Sequence, residues 1–421
     1  MAQGFIRPNA VTDVAMSFAD SNVLDAFGRL RVSQPRTLFA SPLTYGLSPI
    51  QWEASSTDDG IDPVHNADTR MVKLQIDAGA TGGTSYMITR QYHAYRPGKS
   101  QRIFITGILG TATAGAVKRF GYGDDNNGIF FEQNGTSGLQ VNRRTKTSGS
   151  VVNNTVAQSS WNLDKLDGTG ASGITLDVTK DFLLEIDFQW LGMGRIRIGF
   201  DIDGQLIYCH EFLIANVIAV PSFQSATLPV LAEIVAAAGL AGTATAQLKC
   251  AEVSSEGGQE EAIGYPFAAE GTVTAASGAR THVLSLRPKT TFNSIPNRSL
   301  SQLESIEILG GTNQVLWEIC FGVAYSAGPT WADANTTYSA FEVGTGGTYS
   351  NLTNGFVAQS GYVQGGSAAG RSNIVSDIAN RVPISLNRAG ANTDLGTLSI
   401  LLTAFTGTSV CRVVLNWKEL R

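Results

Sequence analysis

Charge is scarce in this sequence. Only 15 % of its residues are charged, against about 25 % in ordinary soluble domains. A long charged coiled coil is excluded, because it needs abundant Glu, Lys, Leu and Ala at 3.5-residue spacing. Disorder of the whole chain is excluded as well: 43 % of the residues are apolar, and disordered chains are apolar-poor and charge-rich. The formal net charge is −5 and Lys and Arg form no run, so no electrostatic footprint for nucleic acid is visible. Cysteine is scarce too. Cys209, Cys250, Cys320 and Cys411 stand far apart, with no zinc spacing among them, and each reads as a small buried hydrophobe. None of the four histidines stands at i+2 or i+4 from another, so no metal motif is present. Long apolar runs are missing. The best, 217–240, is broken by Pro221, Gln224, Pro229 and Glu233, whereas a spanning helix needs about 20 nearly uninterrupted apolar residues. No membrane insertion is expected. Residues 1–9 carry no basic start followed by an apolar run, so no secretory leader is expected either.

What is present is glycine, 46 residues of it, set among Ser, Thr and Asn and short apolar runs. That is the composition of an all-β chain with many turns. Residues 1–63 hold five of the thirteen prolines and predict an extended, irregular N-terminal arm, since proline fixes φ and removes a ladder donor. The arm is apolar and should bury itself against the body or a neighbouring subunit. From about residue 70 the chain alternates apolar and polar residues, as in 71–76, 102–109 and 182–190, with an Asn134-Gly135 hairpin signal. Within 182–190, Leu184, Ile186 and Phe188 share one face, which should be buried while the other is wet. Pro229 should confine its strand to a sheet edge. The polar stretch 254–261 is the best boundary. The fold expected is two antiparallel, jelly-roll-like β-sandwiches after the arm: 64–255, and 256–421 with a Gly/Ser/Thr-rich insertion, 329–379, packed as a loop on a neighbour.

Candidate chemistry is sparse. Asp124, Asp125, Asn126 and Asn127 precede Gly128. Such a set suits a calcium ion, a hard cation that takes oxygens. It suits still better a plain turn, because Asp and Asn cap turns and tolerate left-handed backbone. No cofactor is called for. Tyr92, Tyr95 and Arg96, with Trp190, would suit contact with a carbohydrate, whose CH faces stack on aromatic rings; they are equally ordinary rim and core residues. Glu185 and Asp187 share a strand face, with Glu211 on a nearby strand, so paired carboxylates for glycoside hydrolysis are conceivable. The solvent face of a sandwich looks the same, and that reading is preferred. No nucleophile elbow or phosphate loop is found. No catalytic residues are assigned and the chain is expected not to be an enzyme.

Three segments resemble a family of tailed-bacteriophage virion proteins. The first is Asp25-Ala-Phe-Gly-Arg-Leu-Arg-Val-Ser33 with Thr37-Leu-Phe39. The second is Thr89-Arg-Gln-Tyr-His-Ala-Tyr-Arg-Pro-Gly-Lys-Ser100, followed by Phe120-Gly-Tyr-Gly-Asp-Asp-Asn-Asn-Gly-Ile-Phe-Phe131. The third is Leu284-Ser-Leu-Arg-Pro-Lys-Thr-Thr-Phe-Asn293 with Asn297-Arg298. The resemblance implies a multicopy structural protein of the virion, made in the host bacterial cytoplasm. A tail, tail-fibre or adaptor role is favoured over capsid decoration or a head fibre. Its partners would be itself, as a trimer or higher symmetric oligomer, and other virion proteins, with a lectin-like contact to host surface glycan as the alternative. The arm residues Phe27, Arg29, Leu30, Arg31, Val32, Leu38 and Phe39 are expected to anchor it: the apolar ones in pockets, the arginines on carboxylates or carbonyls.

Overall fold

A computed structural model describes residues 23–237, 239–258, 264–352, 354–366, 369–373 and 383–421. The fold is all-β and antiparallel, and among the described residues the one helical element is a 3-10 turn at Gln158–Ser160. The first sandwich uses β1 (Arg36–Ser41), β2 (Trp52–Thr57), β3 (Gly60–Asn66), β4 (Met71–Ile76), β5 (Gly83–Thr89), β6 (Gln101–Ile108), β7 (Ala116–Gly123), β8 (Gly128–Asn134), β9 (Gly138–Thr145), β10 (Val152–Ala157), β11 (Phe182–Phe188), β12 (Ile196–Ile202), β13 (Gln205–Phe212), β14 (Val230–Ala236) and β15 (Ala244–Ser255). One sheet runs β13-β12-β11-β6-β15-β4-β3, and the other β10-β9-β8-β7-β14-β5-β2. The long β15 pairs with β4 along 244–248 and with β1 along 251–255 on the same edge. Thus the stretch expected as an irregular arm to residue 63 enters the sandwich at Arg36 and supplies three strands to it.

The second sandwich begins with β16 (Tyr265–Ala275), β17 (Thr281–Pro288), β18 (Thr291–Phe292), β19 (Ile295–Pro296), β20 (Leu300–Leu309), β21 (Val315–Phe321), β22 (Ala324–Ala327) and β23 (Thr330–Asp333). It continues with β24 (Phe341–Thr345), β25 (Thr348–Asn351), β26 (Phe356–Val363), β27 (Ala369–Asn373), β28 (Leu398–Ala404) and β29 (Ser409–Leu420). Its sheets are β23-β24-β17-β28-β21-β26 and β16-β29-β20-β27. The insertion is therefore no loop where it is described: β24 pairs with β17, β26 with β21, and Phe341 is fully buried in the core. Its residues 367–368 and 374–379, and 353, lie outside the described set.

Period-2 patterning fixes both cores. On β11, Leu184, Ile186 and Phe188 point into the first core, where Phe131, Phe182 and Phe200 meet edge to face at 4.9–5.8 Å. A second, separate core holds Trp317, Phe321, Phe341 and Trp417. Pro229 does not push its strand to an edge. It stands just before β14, which then runs centrally between β7 and β5, and its carbonyl accepts the N–H of Gly123 (2.7 Å). Among the described residues no helix is long and apolar enough to cross a membrane.

Candidate functional site: a carboxylate pair beneath residues 24–31

The outer face of β11 is not wet. Glu185 and Asp187 are 0 % exposed. Strand register puts Arg102 of β6 and Arg197 of β12 on either side of Asp187, and the loop 24–31 lies over them. That loop closes on itself. Asp25 Oδ1 accepts the N–H groups of Phe27 (2.9 Å) and Arg29 (2.8 Å), Leu24 pairs with Leu30, and Gly28 turns the chain at φ +76°, where a side chain would be strained. From it Arg31 reaches down to Asp187 (2.7 Å) and Glu256 (2.7 Å), with Glu185 at 3.8 Å. Arg102 binds Glu185 with two parallel bonds, 2.7 and 2.8 Å. Arg197 is buried against Asp187 and donates to the Leu24 carbonyl (3.0 Å). The Tyr208 hydroxyl lies within 3.0 Å of Asp187 and 3.3 Å of Glu185, and Ser100 donates to Asp187 (2.8 Å). Three guanidiniums thus face three carboxylates, Glu185, Asp187 and Glu256, in one largely buried layer.

Burial raises the Glu185 carboxyl above its ordinary range, against the pull of Arg102. Glu256 is raised by burial and by the neighbouring Asp187, with Arg31 pulling the other way. Burial acts to lower Arg31, but the charges of Asp187 and Glu256 outweigh it and hold the guanidinium above its usual value. Glu211 stands apart from the pair, with Arg195 as its ion partner at 3.5 Å.

The arm residues divide. Phe39 and Leu38 are spent on the first sandwich itself: Phe39 packs edge-on to Trp52 at 5.6 Å, and Leu38 lies against the same core. Arg29 caps its own loop through Asp25, stacks over Phe27 (4.5 Å) and donates to the Gly98 carbonyl (3.2 Å). Of the apolar arm residues, Leu30, 47 % exposed, and Val32, 86 % exposed, face outward. The expected anchor is thus largely folded onto its own chain, because buried acidic groups there require Arg31.

The residues proposed for cation and glycan binding sit elsewhere: Tyr92, Arg96 and Asp125 at the junction of the two sandwiches, Tyr95 within the first. Asp124 caps its turn through the N–H groups of Asn126 (2.8 Å) and Asn127 (2.9 Å). Asn127 Oδ1 accepts the N–H of Gln224 (3.1 Å). Asp125 binds a cation that belongs to the chain, the Arg388 guanidinium, at 2.5 and 3.2 Å, and that contact holds its carboxyl below the usual range despite burial. Among the described residues no three His, Cys, Asp or Glu side chains are grouped as a metal ion would need. Tyr92 is 3 % exposed, covered by Arg298 at 4.3 Å. Tyr95 packs on Phe188 and Trp190, and Arg96 lines the seam with Leu300 and Ile384 of the second sandwich. None of the three forms an open aromatic platform. Sequence reasoning missed Arg298 and Arg388 as partners here. Arg388 also bonds Glu233 (2.7 Å), donates its backbone N–H to Glu53 Oε2 (2.8 Å) and stacks on Tyr86 (4.4 Å). Asn297-Arg298 was visible as a motif, but nothing local in the sequence pairs it with Tyr92.

No protein-family model matches the chain, and no curated protein matches it. Solved structures do. One is a glycosyl hydrolase family protein from Mycobacterium fortuitum, with 15 % identity, TM-score 0.33, and 52 % of this chain and 99 % of that one covered. Another is a beta-1,3-glucanase from Mycobacterium marinum, with 16 % identity, TM-score 0.32, and 52 % and 98 % covered. A third is a carbohydrate esterase from the Shiga toxin-encoding bacteriophage phi24B, with 13 % identity, TM-score 0.30, and 53 % and 100 % covered. These neighbours are carbohydrate-active proteins, and they correct the expectation that the chain is not an enzyme: the exclusion of catalysis made from the sequence does not stand.

Proposed function

We propose that this chain is a structural subunit of a bacteriophage particle, a tail, tail-fibre or adaptor protein, that docks on its neighbours through the loop around Leu30 and Val32. The observation that carries this reading is how that loop is held. Arg31 fixes it to the body by buried ion pairs and Asp25 caps it from within, while Leu30 and Val32 stand exposed beside them. Apolar side chains displayed on a rigid support are suited to an assembly contact, where little ordering entropy remains to be lost. The segments that resemble virion proteins also include the loop residues Asp25 and Arg31 and the junction residues Tyr92, Asp125 and Arg298, which hold the chain as one unit. The test is a Leu30→Ser/Val32→Ser chain supplied to the phage that encodes it. It should fold as the wild type does and be depleted from purified particles. Normal incorporation removes the reading, and immunogold labelling of particles separates tail from capsid.

One observation favours a second reading, a glycan-cleaving protein. Glu185, Asp187 and Tyr208 form one cluster on one sheet face, closed by residues 24–31. Two carboxyls on one face, with burial raising that of Glu185, are what glycoside hydrolysis uses. Polysaccharide clearance by the wild type, or by a chain starting at Pro35, that vanishes in Glu185→Gln would support it. No clearance by either chain removes it.

A further inference from the structure

Two loops at one end of the first sandwich carry apolar side chains that the chain does not bury. One is 189–195, between β11 and β12. The other is 213–229, between β13 and β14. They are tied together. The Ser222 N–H donates to the Gly192 carbonyl (2.8 Å), and a Cβ on Gly192 would lie 3.9 Å from Pro221. The β12–β13 register ends with Ile196 opposite Phe212, which sets Leu213 at the root of the first loop. Each loop is also held from within. The Gly194 N–H donates to the Trp190 carbonyl (2.6 Å), and the N–H groups of Val217 and Ile218 donate to the Ile214 carbonyl (3.0 and 3.2 Å). The Leu191 N–H donates to the Tyr95 hydroxyl (3.3 Å). Ile214 and Phe223 are buried and pin the second loop to the body.

On this support Leu191, Met193, Leu213, Val217 and Val220 are exposed, Val217 to 67 %, Leu213 to 54 % and Leu191 to 53 %. Together they show on the order of 400 Å² of apolar surface, the size at which such patches are often functional. Leu191 carries a second signal, because its backbone is left-handed at φ +41°. A bulky residue is strained there, and such strain clusters at functional sites. Folding recovers little of it, since half of the residue stays in water, and glycine would relieve it. The leucine side chain is therefore kept for a contact outside its own chain.

Charge decides what that contact is with. The sequence from Phe212 to Ala232 holds no Asp, Glu, Lys, Arg or His, and neither does Phe188 to Gly194. The flanking Asp187 and Glu233 are buried, and Arg195 pairs with Glu211 (3.5 Å). A two-fold axis sets a patch against itself, so a charge in it would meet its own sign. These loops bring none. We propose that loops 189–195 and 213–221 form a two-fold interface between two copies of this chain. A stable interface buries about 800 Å² on each partner, about 65 % of it apolar in homodimers. The exposed Leu, Val and Met side chains supply most of that apolar share, on loops with little ordering entropy left to lose. Higher dihedral assemblies build from the same contact. The interface uses neither Leu30 nor Val32, so it and the assembly reading can fail separately.

The test is sedimentation velocity of the full chain from low to high micromolar concentration, where a dimer is expected. Leu213→Ser/Val217→Ser should weaken it at least about a hundredfold, because each copy loses two large apolar side chains from the contact. Leu191→Gly should weaken it too. At a dilution where both chains are monomers it should melt no lower than wild type, because glycine accepts the left-handed backbone. If the double variant fails to fold, Leu191→Gly carries the test. A chain that stays monomeric throughout, or a dimer unmoved in the folded variants, overturns the proposal. Flotation of a monomeric chain with phosphatidylcholine vesicles, lost in the same variants, would assign the patch to a membrane and overturns it as well.

Discussion

Replacing Arg31 by methionine tests the central claim about the first sandwich, that the loop 24–31 is held because buried carboxylates require its guanidinium. Methionine keeps the length of the stem and removes the charge together with its N–H donors. The Arg31 side chain is 12 % exposed and Glu256 is 9 % exposed. Breaking a buried pair by removing one partner costs about 3–5 kcal/mol. Asp187 keeps Arg197, Ser100 and Tyr208, so the loss falls mainly on Glu256, and about 2–3 kcal/mol is expected. For a sandwich of this size that is a fall in Tm of roughly 4–12 °C. The sign of the pH dependence follows from Glu256. Arg31 pulls its pKa down against burial and Asp187, so without Arg31 the folded state holds a proton more tightly than the unfolded chain does. Stability of the variant then falls as pH rises, and its deficit is wider at pH 8 than at pH 5. Adding Glu256→Gln should return half or more of the loss, since no charge is then stranded. Each sandwich holds three of the six tryptophans, so fluorescence cannot assign the transition. Urea titration followed by hydrogen exchange of peptides covering β11 can. A deficit under about 0.5 kcal/mol, the level of an ordinary surface change, or one equal at both pH values, refutes the reasoning.

Arg388→Ala should uncouple the sandwiches, because it removes the contacts to Asp125, Glu233 and Tyr86 at once; calorimetry should show one joint transition splitting in two. The Leu30→Ser/Val32→Ser chain should melt within about 0.5 kcal/mol of wild type, because both side chains face outward. A larger loss in a thermal melt would mean they pack on the body. Stability should also fall in acid for a separate reason. Burial depresses His93 to about 3, and His210 and His282 to about 4. Below the ordinary value near 6.5 the unfolded chain takes up protons that the folded one refuses, at up to about 1.4 kcal/mol per pH unit for each group. The contribution is complete above pH 6.5 and is lost as pH falls toward 4. His282→Gln should flatten the slope of the urea midpoint against pH in that window, and an unchanged slope would place the proton uptake elsewhere.

Local patterning carried much of the fold. Leu184, Ile186 and Phe188 alternate on β11 as period 2 requires, Asn134-Gly135 opens the turn from β8 to β9, and β4, β6 and β21 follow the apolar runs. Composition was enough for the all-β class, since many turns and little charge suit short paired strands. Tertiary structure decided the rest, for one physical reason: side chains that are neighbours in space were distant in sequence. Glu185 and Asp187 read as a solvent face because nothing nearby in the chain reveals that Arg31 arrives from 156 residues away. Asp125 read as a calcium ligand or a turn because its cation, Arg388, lies 263 residues on. Pro229 read as an edge marker because sequence alone does not say that the strand starts at the next residue. The low charge content noted at the outset takes its meaning here. Sequence shows that charges are few; only the fold shows that several of them are buried in matched sets, holding a loop to a sheet and one sandwich to the other.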